Sequence, residues 1–183
     1  MIKIKFPCET IYNMETDEFE EIPEIECEFE YSLVAISKWE AVHHVSYLSG
    51  NKESLEPDDV IDIYRCMMFD ESKWNEIKFR LDNGLGAEQF VEISKYMGDS
   101  QTATFFTKQN QGKHSRELVT SELVYYWMVI YGIPFIPCEN WHINRLMTLI
   151  EVCSRKQAPS GTKSQRDQIS EMMALNSARK GGM

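Results

Sequence analysis

Most of the signatures that would announce an enzyme are missing from this chain. It has no Walker A loop, no GxGxxG turn, no HExxH helix and no GxSxG elbow. Its five cysteines, Cys8, Cys27, Cys66, Cys138 and Cys153, are odd in number and widely spaced, with no CxxC pair. That pattern argues against a disulfide framework or a zinc knuckle and for apolar core cysteines in a reducing compartment. No apolar stretch is long enough to span a bilayer, because Gly132 and Pro134 interrupt the longest one, Leu123 to Ile136. The start, Met1 to Phe6, lacks a signal-peptide core and soon turns acidic. Positive charge is scarce: 19 Lys and Arg against 29 Asp and Glu leave a net charge of −10. A surface of that sign repels phosphate backbones, favours solubility and attracts basic partners.

The 183 residues, 43% of them hydrophobic, suffice for one folded domain without metal or disulfide support. Residues 1–31 read as β. Ile2, Ile4 and Phe6 alternate with Lys3 and Lys5, and Ile25, Cys27, Phe29 and Tyr31 alternate with four glutamates. Two such strands predict an antiparallel ribbon whose lysines offset part of the facing acidic row. Glu15 to Glu21 is expected to be a solvated loop or a short extra strand, and its charge to be a solvated face.

From Ser32 the period becomes helical. A first helix is expected from a Ser32 cap through Leu48, then one behind Pro57 with Val60, Ile61, Tyr64 and Met67 to Phe69 inward. Ser72 to Leu81 and Ala87 to Met97 follow, and Asp99 to His114 reads as a loop. Ser115 is expected to cap a helix from about Arg116 to Tyr131, apolar on most of its circumference and so placed at the centre of the domain. Pro134 and Pro137 predict extended chain, and Glu139 to Lys156 a second core helix carrying His142, Leu146, Leu149, Ile150 and Cys153. Packing between these last two helices is expected to dominate stability.

The fold expected is therefore α+β and mainly α: a β-ribbon on about six helices in a domain of residues 1–156. Residues 157–183 are expected to form a basic, partly mobile tail that orders on a partner, or a helix docked loosely on the body. There Pro159-Ser160-Gly161 reads as a linker, and Ser164 to Arg179 as a marginal helix with Met172, Met173 and Leu175 on one side.

Three groups of residues invite a chemical reading. Neighbouring helical side chains point about 100° apart, so His43 and His44 do not converge on one metal without a third ligand. His142 on an apolar stripe reads as a hydrogen-bonded core histidine. A Cys–His nucleophile from Cys138 or Cys153 with His142 lacks an orienting third group. Trp39, Trp74 and Trp141 read as core. No catalytic or metal residue and no cofactor are assigned.

Four stretches carry a family pattern: Ser32-Leu33-Val34-Ala35-Ile36-Ser37-Lys38-Trp39-Glu40; Met97 before Thr102-Ala103-Thr104-Phe105; Thr120 to Met128 (TSELVYYWM) followed by Ile133-Pro134-Phe135; and Trp141 to Ile150 (WHINRLMTLI) with Val152-Cys153. In order and spacing these resemble the tail assembly chaperones of long-tailed bacteriophages over nearly the whole chain. Pro137, where relatives tend to have an acidic residue, and Glu151, where arginine is common, depart from the pattern. The resemblance implies a non-enzymatic factor in the host cell cytoplasm. Such a factor binds the tape measure protein and keeps it soluble until the tail tube polymerises around it. It implies the major tail tube protein as a second partner and no nucleic acid or membrane; a homo-oligomer is left open. The alternative is a minor virion protein, a tail-completion or baseplate component. Partner contacts are expected in the tail, at Met172, Met173, Leu175, Arg166, Arg179 and Lys180.

Overall fold

Strand pairing at the start of the chain follows from the alternation of apolar and charged residues. In the computed structural model, which describes residues 1–14, 17–49, 56–104, 106 and 118–157, β1 (Ile2–Phe6) pairs antiparallel with β4 (Ile25–Phe29). Ile4, Phe6, Cys27 and Phe29 form the buried face. Lys3 stands opposite Glu28 and binds it at 2.5 Å, and Lys5 reaches Glu24 at 2.9 Å. The far edge of β4 is covered by the chain after the second helix: Glu30 N–H donates to the Met67 carbonyl and Phe69 N–H to that of Glu28.

Of the two expectations for the acidic connection, a loop or a short extra strand, the strand is the one observed. The connection forms β2 (Glu9–Asn13) and β3 (Glu18–Ile22), paired from Glu9–Ile22 to Asn13–Glu18. Since Phe6 faces Ile25 and Glu9 faces Ile22, equal gaps, Pro7-Cys8 and Pro23-Glu24, lie between the two ladders. The four strands are one ribbon broken at its prolines, which cannot donate to a ladder.

Arg80 fills the break. Its guanidinium is fully buried and donates to the Pro7 carbonyl at 3.0 Å, to the Pro23 carbonyl and to Glu9 Oε2 at 3.1 Å. Carbonyls that the ladder leaves without partners are thus satisfied by one planar fork. The other Glu9 oxygen accepts from Gly86 N–H at 3.4 Å. Gly86 has φ +67°, and a Cβ there would stand 2.8 Å from the Phe6 ring, so only glycine fits.

Helical elements follow: α1 (Leu33–His43), α2 (Pro57–Met67), a 3₁₀ turn (Glu71–Lys73), α3 (Trp74–Asp82), α4 (Ala87–Gly98), α5 (Ser121–Tyr131), a four-residue α6 (Phe135–Cys138) and α7 (Ile143–Gln157). The architecture is α+β and mainly helical, as the sequence predicts. Ser32 Oγ caps α1 by accepting from Ala35 N–H at 3.2 Å. The helix stops at His44, left-handed at φ 55°, five residues before the expected Ser49-Gly50-Asn51. Glu40 explains the early stop: its buried carboxylate accepts from the N–H groups of Tyr47 and Ser121, both at 2.7 Å. That ties the chain after α1 to the start of α5.

α1 is the hub. It packs on α2 and α5, and Leu33, Ile36 and Trp39 are fully buried. The Trp39 indole donates to the Asp59 carbonyl at 2.8 Å and lies against the rings of His43 and Tyr47. Burying an indole of this size contributes roughly 4 to 6 kcal/mol before entropy is counted. The inward face of α2 is Ile63, Cys66 and Met67, not the row through Val60 and Tyr64, and Phe69 is exposed. On the other side the Phe6 and Tyr64 rings meet Phe90 of α4 at 5.4 and 5.7 Å.

Three expectations for the later segments are revised. α5 begins at Ser121 behind a Thr120 cap, and the expected Ser115 cap lies outside the described residues. In place of a wholly extended run, Pro134 precedes the short α6 and Pro137 lies within it, with only Ile136 extended inside it. α7 starts at Ile143, and its buried residues are Ile143, Leu146 and Ile150. The chain divides into two units, residues 1–150 and the remainder, of which 151–157 are described. In the second, Arg155 pairs with Glu151 at 2.6 Å one helical turn away.

Candidate functional site

The sequence of α5, Ser-Glu-Leu-Val-Tyr-Tyr-Trp-Met-Val-Ile-Tyr, holds one charged residue, Glu122. A helix so apolar is expected at the centre of a domain, yet α5 lies at its surface. One side is buried, through Ser121, Val124 and Met128, and it packs chiefly on α1 rather than on α7. On the opposite side Tyr126 is 58% exposed, Val129 64% and Ile130 49%. The spacing of those three, i, i+3 and i+4, makes one continuous stripe.

The stripe continues past the helix end. Gly132 closes α5 in the left-handed region at φ +66°, and Ile133 turns inward. Phe135 and Ile136 then point out again, Ile136 at 78% exposure. The Phe135 ring meets that of Tyr125 edge-on at 5.3 Å, which folds α6 back against α5. Tyr125 is held from below by Glu139, which accepts its hydroxyl at 3.1 Å. Burial, then this bond, pushes its phenol up to about 12. The result is an apolar face of Tyr126, Val129, Ile130, Phe135 and Ile136. A contiguous face of this kind on an acidic protein marks a contact surface.

The groups that invited a chemical reading are engaged elsewhere. His142 is buried, with Nε2 3.0 Å from the Tyr96 carbonyl and Nδ1 accepting from Asn144 N–H at 3.3 Å, its ring between Tyr31 and Tyr96. Both ring nitrogens are thus engaged by backbone groups. Burial lowers its pKa, against the raising effect of the Tyr96 carbonyl. His43 turns inward, stacked on Trp39 with Asp62 at 3.1 Å, while His44 takes the exposed helix end. Burial pushes the Asp62 carboxyl up, but hydrogen bonds from Arg65 and His43 outweigh it and hold the group low. Among the described residues no three His, Cys, Asp or Glu side chains group as a metal site.

Cys27, Cys66 and Cys138 are buried, Cys153 is half-buried and Cys8 is exposed. Burial pushes the Cys66 thiol up to about 11, far from the reactive range. Trp39 is core, whereas Trp74 and Trp141 are half-buried and the Arg145 guanidinium lies 4.1 Å over the Trp141 ring.

The contact residues expected in the tail, Arg166, Met172, Met173, Leu175, Arg179 and Lys180, lie outside the described residues. The α5 face was not expected from sequence. Uniform apolarity fits a central helix and an interface helix equally well, and only the position of α1 on one side decides between them. No family model, curated protein or solved structure matches the chain.

Proposed function

We propose that this chain is a tail assembly chaperone that binds a phage tape measure protein and keeps it soluble until the tail tube forms around it. The observation that carries the reading is the exposed apolar face on α5 and α6. Tyr126 and Phe135 of that face fall in the Thr120 to Met128 and Ile133 to Phe135 stretches that resemble the chaperone family, and Val129, Ile130 and Ile136 follow directly after them. A chaperone for a long amphipathic helix needs apolar contact area on a body that stays in solution. The net charge of −10 supplies the second property. In the proposed mechanism Tyr126, Val129 and Ile130 cover a helical stripe of the partner, and Phe135 and Ile136 extend the contact past the end of α5. Release needs no chemistry, because polymerising tube subunits compete for the same partner surface.

Co-expression with the tape measure protein tests this. The expected result is a soluble complex with wild type and an insoluble tape measure protein with Val129→Asp/Ile130→Glu. Both substituted positions are exposed, and substitutions at such positions normally change stability by about 0.5 kcal/mol or less. A tape measure protein that stays insoluble with the wild-type chain removes the proposal. Detection of the chain at fixed copy number in purified virions favours a tail-completion or baseplate component instead.

A further inference from the structure

The geometry points to a second, independent contact surface: the β2–β3 hairpin is a docking arm for a basic polypeptide segment of another protein. Across the ribbon break the more buried positions of the first strand change parity. In β1 the even residues Ile4 and Phe6 are buried; in β2 the odd residues Glu9, Ile11 and Asn13 are half-buried, and Thr10 and Tyr12 are exposed. The row continuing the core face of β1 therefore leaves the core. It carries a cross-strand aromatic pair, Tyr12 opposite Phe19, with ring centroids 5.3 Å apart. Phe19 is 75% exposed and Met14, next to the turn, 89%. Cross-strand aromatic pairs ordinarily stabilise a ribbon by packing on a core; here the pair and the methionine face solvent on a sheet of two strands.

Charge complementarity selects the occupant. No Lys or Arg occurs between Phe6 and Ser37. Asp17 and Glu21 flank the pair on its own face, Glu18 and Glu20 stand on the opposite face of the same two strands, and among the described residues no cation lies within ion-pair distance of these four. Their contacts are with neutral groups: Tyr12 hydroxyl on Asp17, the Asn13 amide on Glu20 at 2.6 Å and the Cys8 thiol on Glu21 at 3.0 Å. An apolar centre flanked by carboxylates, on an arm that carries no positive charge, fits a segment with an apolar side chain flanked by Lys or Arg. A second copy brings the same negative charge and is repelled, and a nucleic acid is repelled for the same reason.

The test is a fluorescence anisotropy titration of the full chain with labelled peptides of about ten residues. One alternates lysine with phenylalanine; the control carries glutamate in place of lysine. The basic peptide is expected to bind at least about ten times more tightly than the acidic one and to weaken with salt. Phe19→Ser is expected to weaken that binding at least about tenfold, as is the combined Asp17→Asn, Glu21→Gln variant, with thermal midpoints unchanged. The charge variant keeps the test valid should Phe19→Ser disturb the hairpin. Equal binding of both peptides, no binding of either, or wild-type binding by both variants overturns the assignment. Sedimentation showing a dimer abolished by Phe19→Ser also overturns it, in favour of self-association.

Discussion

Removing the Arg80 fork, in Arg80→Met, is the sharpest test of how the ribbon is joined to the helices. Methionine keeps most of the apolar stem and removes every donor. Two carbonyls, of Pro7 and Pro23, then lose their partner, and Glu9 loses the cation 3.1 Å away. Breaking a buried ion pair by removing one partner costs about 3 to 5 kcal/mol, and a stranded buried carbonyl about 1 to 3. These penalties overlap, and Glu9 keeps 26% of its side chain in solvent, so part of the loss is recovered by water. The expected net cost is about 3 kcal/mol for Arg80→Met, and about 4 for Arg80→Ala, which also leaves a cavity. Arg80→Lys supplies a point charge without the fork and is expected to lose about 2 kcal/mol. Urea unfolding followed by tryptophan fluorescence reads this directly. With a slope of about 2 kcal/mol per molar urea, Arg80→Met lowers the midpoint by about 1.5 M. A midpoint within about 0.3 M of wild type would refute the account, because water would then be satisfying both carbonyls.

Further predictions concern the other polar anchors and one glycine. Glu40→Ala strands two buried N–H donors, on Tyr47 and Ser121, and is expected to cost about 3 kcal/mol by chemical denaturation. Glu40→Gln, with one acceptor oxygen left, should cost less. Gly86→Ala meets both a positive φ and the Phe6 ring at 2.8 Å, whereas Gly84→Ala, at φ +69° with nothing within 4 Å, meets the first alone. Thermal unfolding should show a loss of about 1 kcal/mol for Gly84→Ala and clearly more for Gly86→Ala. His142 has a folded-state pKa below its unfolded value of about 6.5. As pH falls below that value the unfolded chain takes up a proton that the folded one refuses. Stability then declines by up to about 1.4 kcal/mol per pH unit until the folded pKa is reached. Comparing unfolding free energies at pH of about 7 and 5 in wild type and His142→Gln should show this component only in the wild type.

Local periodicity carried much of the architecture. Alternation in Ile2 to Phe6 and Ile25 to Phe29 determined the outer ladder and its buried face, since a one-residue slip would expose all four core side chains. Ser32 as a cap, Pro57 in a first turn and Gly132 at a helix end were legible for the same reason: each acts on backbone within a few residues. His142 as a satisfied core histidine was also legible, although it sits just before α7 rather than on the expected helical stripe.

Only the tertiary structure decided the rest, because it depends on partners far apart in the chain. Nothing near Arg80 in sequence shows that it is fully buried; its acceptors are Pro7 and Pro23, more than fifty residues away. Glu40 ends α1 early through Ser121, a partner eighty-one residues on. The parity change that leaves Tyr12 and Phe19 in solvent comes from a ribbon broken at two prolines, each unremarkable alone. The apolar sequence of α5 was equally compatible with a central helix, and α1 occupies only one of its sides. Hydrophobic pattern states what must leave water on folding; which faces remain for a partner depends on how many elements the fold places around them.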